Sequence, residues 1–165
     1  MLVIRIVISD IFDLPVQTGD ELKVPDPAKK LNHCIGCYAC WIKTPGQCIL
    51  KDSYSDMGKL LGHSKELVLV SKCTYGGLSP FVQNVMARTL PNISPDFTVR
   101  SGEQHHKLRY DNTPLLSAYF YGAELSENER ATATSLIPAI ALNFGAIVNG
   151  VYFYGTPEEV KGAFA

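Results

Sequence analysis

The sequence predicts an α/β protein built around one parallel sheet. Three observations point there: continuous apolar, β-branched runs of strand length, helical periodicities between them, and capping or turn residues at the joints. The chain has 165 residues, of which 46% are hydrophobic, enough for one domain spanning 1–165 with a full core.

Residues 2–9 form the first run, apolar enough for a strand covered on both faces. Runs at 67–71, 115–121 and 151–154 repeat the pattern, and a weaker strand is expected at 22–24, bounded by Pro25 and Pro27. Ser53 and Asp56 resemble a capping pair ahead of Met57, Leu60 and Leu61. Ser79-Pro80 sets a cap before a first-turn proline, and Phe81, Val82, Val85 and Met86 follow at helical spacing. Ser126 and Glu129 form a capping box for a helix with Leu136, Ile137, Ile140, Ala141 and Phe144 on its apolar face. Pro138 should kink that helix, and Gly145 should stop it. Five strands with helical connections suit a doubly wound sheet of order 2-1-3-4-5. Between Ser9 and Leu22 there is no helical period, so the first crossover helix is expected to be reduced or missing. Residues 91–114 also lack periodicity and read as an irregular lid or dimer arm.

Fifteen basic residues stand against 16 acidic ones, a net charge of −1, which leaves no electrostatic footprint for nucleic acid. No run reaches the ~20 apolar residues that span a membrane. The short apolar N-terminus carries Arg5 and no cleavage signal, so a cytoplasmic location is expected, with the five cysteines reduced or metal-bound.

Cys34, Cys37, Cys40 and Cys48 follow the spacing C-x2-C-x2-C-x7-C, with a turn at Pro45-Gly46 before the last. Two consecutive C-x2-C steps gather three thiolates on a tight loop, and a returning fourth completes the ligand set of a [4Fe–4S] cluster. Two other readings stay open. Four thiolates also hold zinc, although zinc sites more often use two separated pairs. Alternatively, Tyr38, Trp41 and the Thr44-Pro45-Gly46 turn order the loop around metal-free thiols. A thiol–disulfide role for Cys37 and Cys40 lacks a thioredoxin-like setting and leaves Cys34 and Cys48 unexplained.

The third strand runs into Cys73-Thr74-Tyr75-Gly76-Gly77 and a capped helix. Ligands of doubly wound sheets bind at such carboxyl ends, and glycines let a planar ring approach the backbone. Thr74 and the Gly76 and Gly77 amides would bond a ring edge, with Tyr75 beside it; an ordinary β–α turn has the same composition.

Together these motifs resemble the flavodoxin-like NAD(P)H-dependent FMN reductase superfamily, and within it the iron–sulfur flavoprotein branch. The resemblance implies FMN at Cys73, Thr74, Tyr75, Gly76 and Gly77, with Tyr121-Gly122 as a further flavin-facing loop, and a [4Fe–4S] cluster on Cys34, Cys37, Cys40 and Cys48. It also implies a homodimer, NAD(P)H as an electron donor, and a redox protein partner. The sequence departs from the family at the phosphate loop. Asp10 and Asp13 follow the first strand, where a Ser, Gly and Thr-rich loop opening a helix would hold a phosphate. FMN then finds its phosphate partners elsewhere, or the domain has lost the cofactor.

Remaining candidates carry less. His105 and His106, beside Glu103, would serve metal or proton transfer, although adjacent histidines in a polar loop are usually solvated; Asp10 with Asp13 would serve acid–base work or metal binding but has no third ligand in sequence. Tyr119, Phe120, Tyr121, Tyr152, Phe153 and Tyr154 suit core or interface strands. The expected function is a flavin-dependent oxidoreductase or electron-transfer flavoprotein. The alternative is a degenerate flavodoxin-like domain without catalysis, its cysteine loop a zinc site, thiol sensor or partner surface. No residue announces itself as a general acid or base, as suits chemistry carried by cofactors.

Overall fold

Ile6, Val7 and Ile8 are fully buried on consecutive positions of β1 (Ile4–Ser9), as a strand covered on both faces requires. In the computed structural model, which describes residues 4–16, 21–24 and 29–165, β1 pairs in parallel with β2 (Glu21–Val24) on one side and β3 (Ser64–Lys72) on the other. β6 (Leu115–Tyr121) adds to β3, and β7 (Ile147–Tyr154) closes the sheet in the order β2-β1-β3-β6-β7. The α/β class is therefore as the sequence indicates. Residues 2 and 3 of the first expected strand, and Pro25 and Pro27 flanking the second, lie outside the described residues.

The two faces are covered unequally. On one face Ile6, Ile8, Leu67, Leu69, Leu116, Ala118 and Phe120 pack under three helices, α2 (Met57–Gly62), α3 (Pro80–Ala87) and α4 (Glu127–Phe144). On the other, Val7, Val68 and Val70 meet Ile11, Leu14 and Val160 of α5 (Pro157–Phe164). Residues 10–16 contain no helix; Ile11 and Leu14 fill from a turn the place a first crossover helix would cover.

Capping explains the helix starts. Ser79 accepts from the Val82 amide with Pro80 at the first position, and Ser126 and Glu129 form the reciprocal box. Gly145 ends α4 in the left-handed region at φ 64°. Pro138 sits on the exposed face, and α4 continues past it to Phe144. Ser53 does not cap α2; the helix starts at Met57 after Asp56, without a side-chain cap, and the Asp56 carboxylate instead accepts from the Gln47 side-chain amide at 2.8 Å.

The largest departure from the sequence reading is at 91–114. After a 3-10 turn (Leu90–Asn92), β4 (Ile93–Arg100) and β5 (Glu103–Leu108) form an antiparallel hairpin rather than an irregular segment. Ser101-Gly102, both at positive φ, make its turn. β4 alternates apolar and polar residues, with Ile93, Phe97 and Val99 on one side, but Pro95 interrupts the run and Phe97 and Val99 are exposed, while β5 has no such alternation. Their anchors are at the ends: Arg100 donates to the Asn143 carbonyl at 3.1 Å, and His106 stacks on the cysteine loop.

Candidate functional site

Backbone geometry folds the cysteine loop onto itself. Gly36 at φ 64° and Tyr38 at φ 54° turn the chain between Cys34, Cys37 and Cys40. A short helix, α1 (Ala39–Ile42), buries Cys40, and the Gly46 amide donates to the Cys40 carbonyl at 3.0 Å, reversing the chain. The Cys48 amide then donates to Ser55 at 3.1 Å. As a result Cys34, Cys37, Cys40 and Cys48 line one narrow cavity of about 20 Å³. None forms a disulfide; Cys40 is buried, Cys34 and Cys48 partly so, and Cys37 is exposed. Burial pushes the Cys40 thiol up, and the neighbouring Cys48, Cys34 and Cys37 push it the same way. Among the described residues, no group of three or more His, Cys, Asp or Glu side chains is drawn together around a single ion.

Behind the thiols lies a buried ion pair. Arg88, 1% exposed at the end of α3, donates to both carboxylate oxygens of Asp52 at 2.8 Å, and to the carbonyls of Asn32 at 2.6 Å and Leu50 at 3.3 Å. Burial works against the charge on Asp52, but the Arg88 guanidinium and the amides of Tyr54 and Asn32 outweigh it and hold the carboxyl at about 2. This pair ties the segments on both sides of the cysteine loop to α3. Nothing in sequence spacing announces it, since the partners stand 36 residues apart.

On the outer side, Tyr38 packs on Trp41 at 5.0 Å between ring centroids, Trp41 on His106 at 4.6 Å, and His106 on Phe97 at 4.7 Å. The hairpin therefore leans on the cysteine loop through aromatic contact. His105 points elsewhere, bonding Asn143 at 3.0 Å and Glu103 at 3.2 Å, so the two histidines do not form one site. Asp10 and Asp13 separate likewise: Asp13 pairs with Lys161 of α5 at 2.6 Å.

At the carboxyl end of β3, Thr74 and Gly77 exchange backbone hydrogen bonds at 3.0 and 2.8 Å. Tyr75 and Gly76 between them have φ 52° and 79°, the geometry of a tight turn with both central residues left-handed. A Cβ on Gly76 would stand 2.6 Å from Thr132, so glycine here also lets α4 approach. Tyr75 is 91% exposed. Cys73 is buried beneath, its amide bonded to the Tyr121 carbonyl at 2.8 Å and its thiol pushed up by burial.

The turn borders two cavities. One, of about 540 Å³, runs between α3 and α4 from Thr74–Gly77 to Ala87, with Met86, Leu136, Ile140 and Phe144 as apolar walls. The other, of about 650 Å³, opens above the strand ends and is lined by Asp10, Lys72, Cys73, Thr74, Tyr75, Ser79, Tyr121 and Glu129, among others. Gly122 lines neither; its amide holds the end of β6 to Tyr154 at 3.1 Å. Asp10 accepts from the Lys72 amide at 2.9 Å and the Tyr121 hydroxyl at 3.1 Å. Burial and the Asp10 carboxylate both push the Tyr121 phenol up, which keeps it a neutral donor.

The cysteine cavity and the turn stand at opposite ends of α3, about 12 Å apart along its axis at 1.5 Å per residue. Ala87 borders both the cysteine cavity and the α3–α4 groove.

No family model matches the chain. Over 69 residues the chain is 30% identical to an iron-sulfur flavoprotein of Archaeoglobus fulgidus. That is a partial likeness: it takes in 42% of this chain and 30% of that protein. No described helix is long and apolar enough to cross a membrane.

Proposed function

We propose that the chain is an electron-transfer flavoprotein domain with a flavodoxin-like fold. In this reading an iron–sulfur cluster sits on Cys34, Cys37, Cys40 and Cys48, and a flavin ring at the turn of Cys73 to Gly77. The observation that carries it is the convergence of four thiols from a C-x2-C-x2-C-x7-C run on one cavity, beside a buried guanidinium. The donor set fits a thiolate-ligated cluster. The likeness to an iron-sulfur flavoprotein supports the same pairing of cofactors.

The flavin fit divides in two. The turn presents backbone groups and an exposed Tyr75 to a planar ring, and Tyr121 offers a neutral hydroxyl. A phosphate fits poorly, because Asp10 and Glu129 line the cavity above the strands and residues 10–16 supply no helix terminus. Ring contacts therefore carry the affinity, and FMN gains little over riboflavin. A bound flavin supplies one- and two-electron chemistry, which joins a hydride donor to a single-electron carrier. The chain's own residues bind and insulate. Ala87, which borders both cavities, and the apolar walls of the groove stand between the two sites. The reading extends to a cytoplasmic homodimer that draws electrons from NAD(P)H or from a redox protein.

A second reading is a flavin-free domain whose cysteine loop binds zinc, senses thiol oxidation or holds a partner. The Asp10 carboxylate, fixed where a phosphate would lie, favours it. Anaerobic titration with FMN and riboflavin separates the two. Micromolar binding of both with fluorescence quenching supports the first; no binding of either supports the second.

A further inference from the structure

Arg88 has a role in the cysteine cavity that clamping the loop does not account for. It lines the cavity together with the four thiols, whereas Asp52 does not; Asp52 lines a neighbouring pocket, which of the four cysteines includes only Cys48. Of the buried ion pair, only the cation borders the cavity that all four cysteines line. The two terminal nitrogens of Arg88 share four acceptors, on Asn32, Leu50 and Asp52. Its Nε is buried and has no hydrogen-bond partner among the described residues. The side chain is 0% exposed, so water does not screen it.

We propose that Arg88 is a positioning residue that turns positive charge onto the cysteine cavity and raises the reduction potential of the cluster held there. The proposal rests on the cluster reading above. A cluster with four thiolate ligands becomes one unit more negative when it takes an electron, and a fixed nearby cation in a low-dielectric wall favours that reduced state. Asp52 opposes the effect from the neighbouring pocket, where it meets Cys48 alone of the four, so the two residues pull the potential in opposite directions. A purely structural clamp would make loss of either partner act alike, through loosened packing or lost iron.

The test uses the full chain, purified without oxygen and titrated with dithionite while cluster absorbance and electron paramagnetic resonance are followed against potential. Arg88→Met should lower the potential by at least a tenfold change in the reduced-to-oxidised ratio, about 59 mV for one electron. Asp52→Asn, which keeps the cation and removes its counter-charge, should raise it. Arg88→Lys should fall between wild type and Arg88→Met. If Arg88→Met does not fold, Asp52→Asn decides: an upward shift supports the proposal, and an unchanged or lowered potential overturns it. A wild-type protein with a cluster but no shift in either variant overturns the role of Arg88 alone. A wild-type protein without iron and sulfide overturns the cluster reading and this proposal together.

Discussion

The cysteine cavity and the cavity above β1 turn opposite charges inward. At the first, Arg88 is buried against four thiols, with its carboxylate partner Asp52 set behind. At the second, Asp10, held by the Lys72 amide and the Tyr121 hydroxyl, lines the opening with Glu129, two carboxylates against the one cation of Lys72. Under the proposed function the first would take an anionic cluster. The second suits a neutral ring and disfavours a phosphate. The difference separates two features within one fold: a loop of four cysteines beside a buried cation, and an acidic turn after β1 that supplies no helix terminus.

The comparison breaks first at the cysteines. Cys37→Ser or Cys40→Ser should abolish the iron and sulfide content of anaerobically purified protein and leave riboflavin affinity within about twofold, because the turn lies at the other end of α3. Loss of both together would join what the geometry keeps apart. Next in size, Arg88→Met leaves Asp52 buried without its partner and should destabilise the fold by about 3–5 kcal/mol in denaturant unfolding. A loss below 1 kcal/mol would mean that the pair is hydrated.

Asp52 sets an acid-side dependence. Its folded carboxyl is held at about 2 against an ordinary 3.8, so its stabilisation is complete above about pH 4 and lost as pH falls through about 2. The amount is about 2 kcal/mol at 1.36 kcal/mol per pH unit. Unfolding free energies measured from pH 5 down to pH 2 should fall by this much more in wild type than in Asp52→Asn. The smallest effect belongs to the other cavity. Asp10→Asn removes a carboxylate worth about 1 kcal/mol of repulsion at 4 Å in water. It should improve FMN affinity about fivefold while riboflavin, which lacks the phosphate, changes little. Equal gains for both would place the phosphate outside this cavity.

How far the sequence reads depends on how local each signal is. The apolar runs of β1, β3 and β6, the Ser79 and Ser126 caps and the Gly145 stop are written in neighbouring residues, and each appears where its chemistry puts it. The hairpin at β4 and β5 is harder to read: β4 has a period of two at Ile93, Phe97 and Val99, but Pro95 within it demotes a strand reading and its partner, all polar from Glu103 to Lys107, has no period. α5 carried a signal that went unread: Thr156-Pro157 with Glu159 is the same cap-and-proline start as α3. In the candidate site, the cysteine spacing and the Thr74–Gly77 turn were legible. The distance between them was not, since the order of motifs along the chain does not tell which end of α3 each one meets. Arg88 was invisible for the same reason: an arginine after a helix reads as an ordinary C-terminal cation until folding sets it beside Asp52.

Quantifying iron, acid-labile sulfide and zinc in protein purified without oxygen tests the central claim most directly. The account predicts about four irons and four sulfides per chain, the composition of a [4Fe–4S] cluster, and no stoichiometric zinc. One zinc per chain without sulfide, or no metal at all, would contradict it.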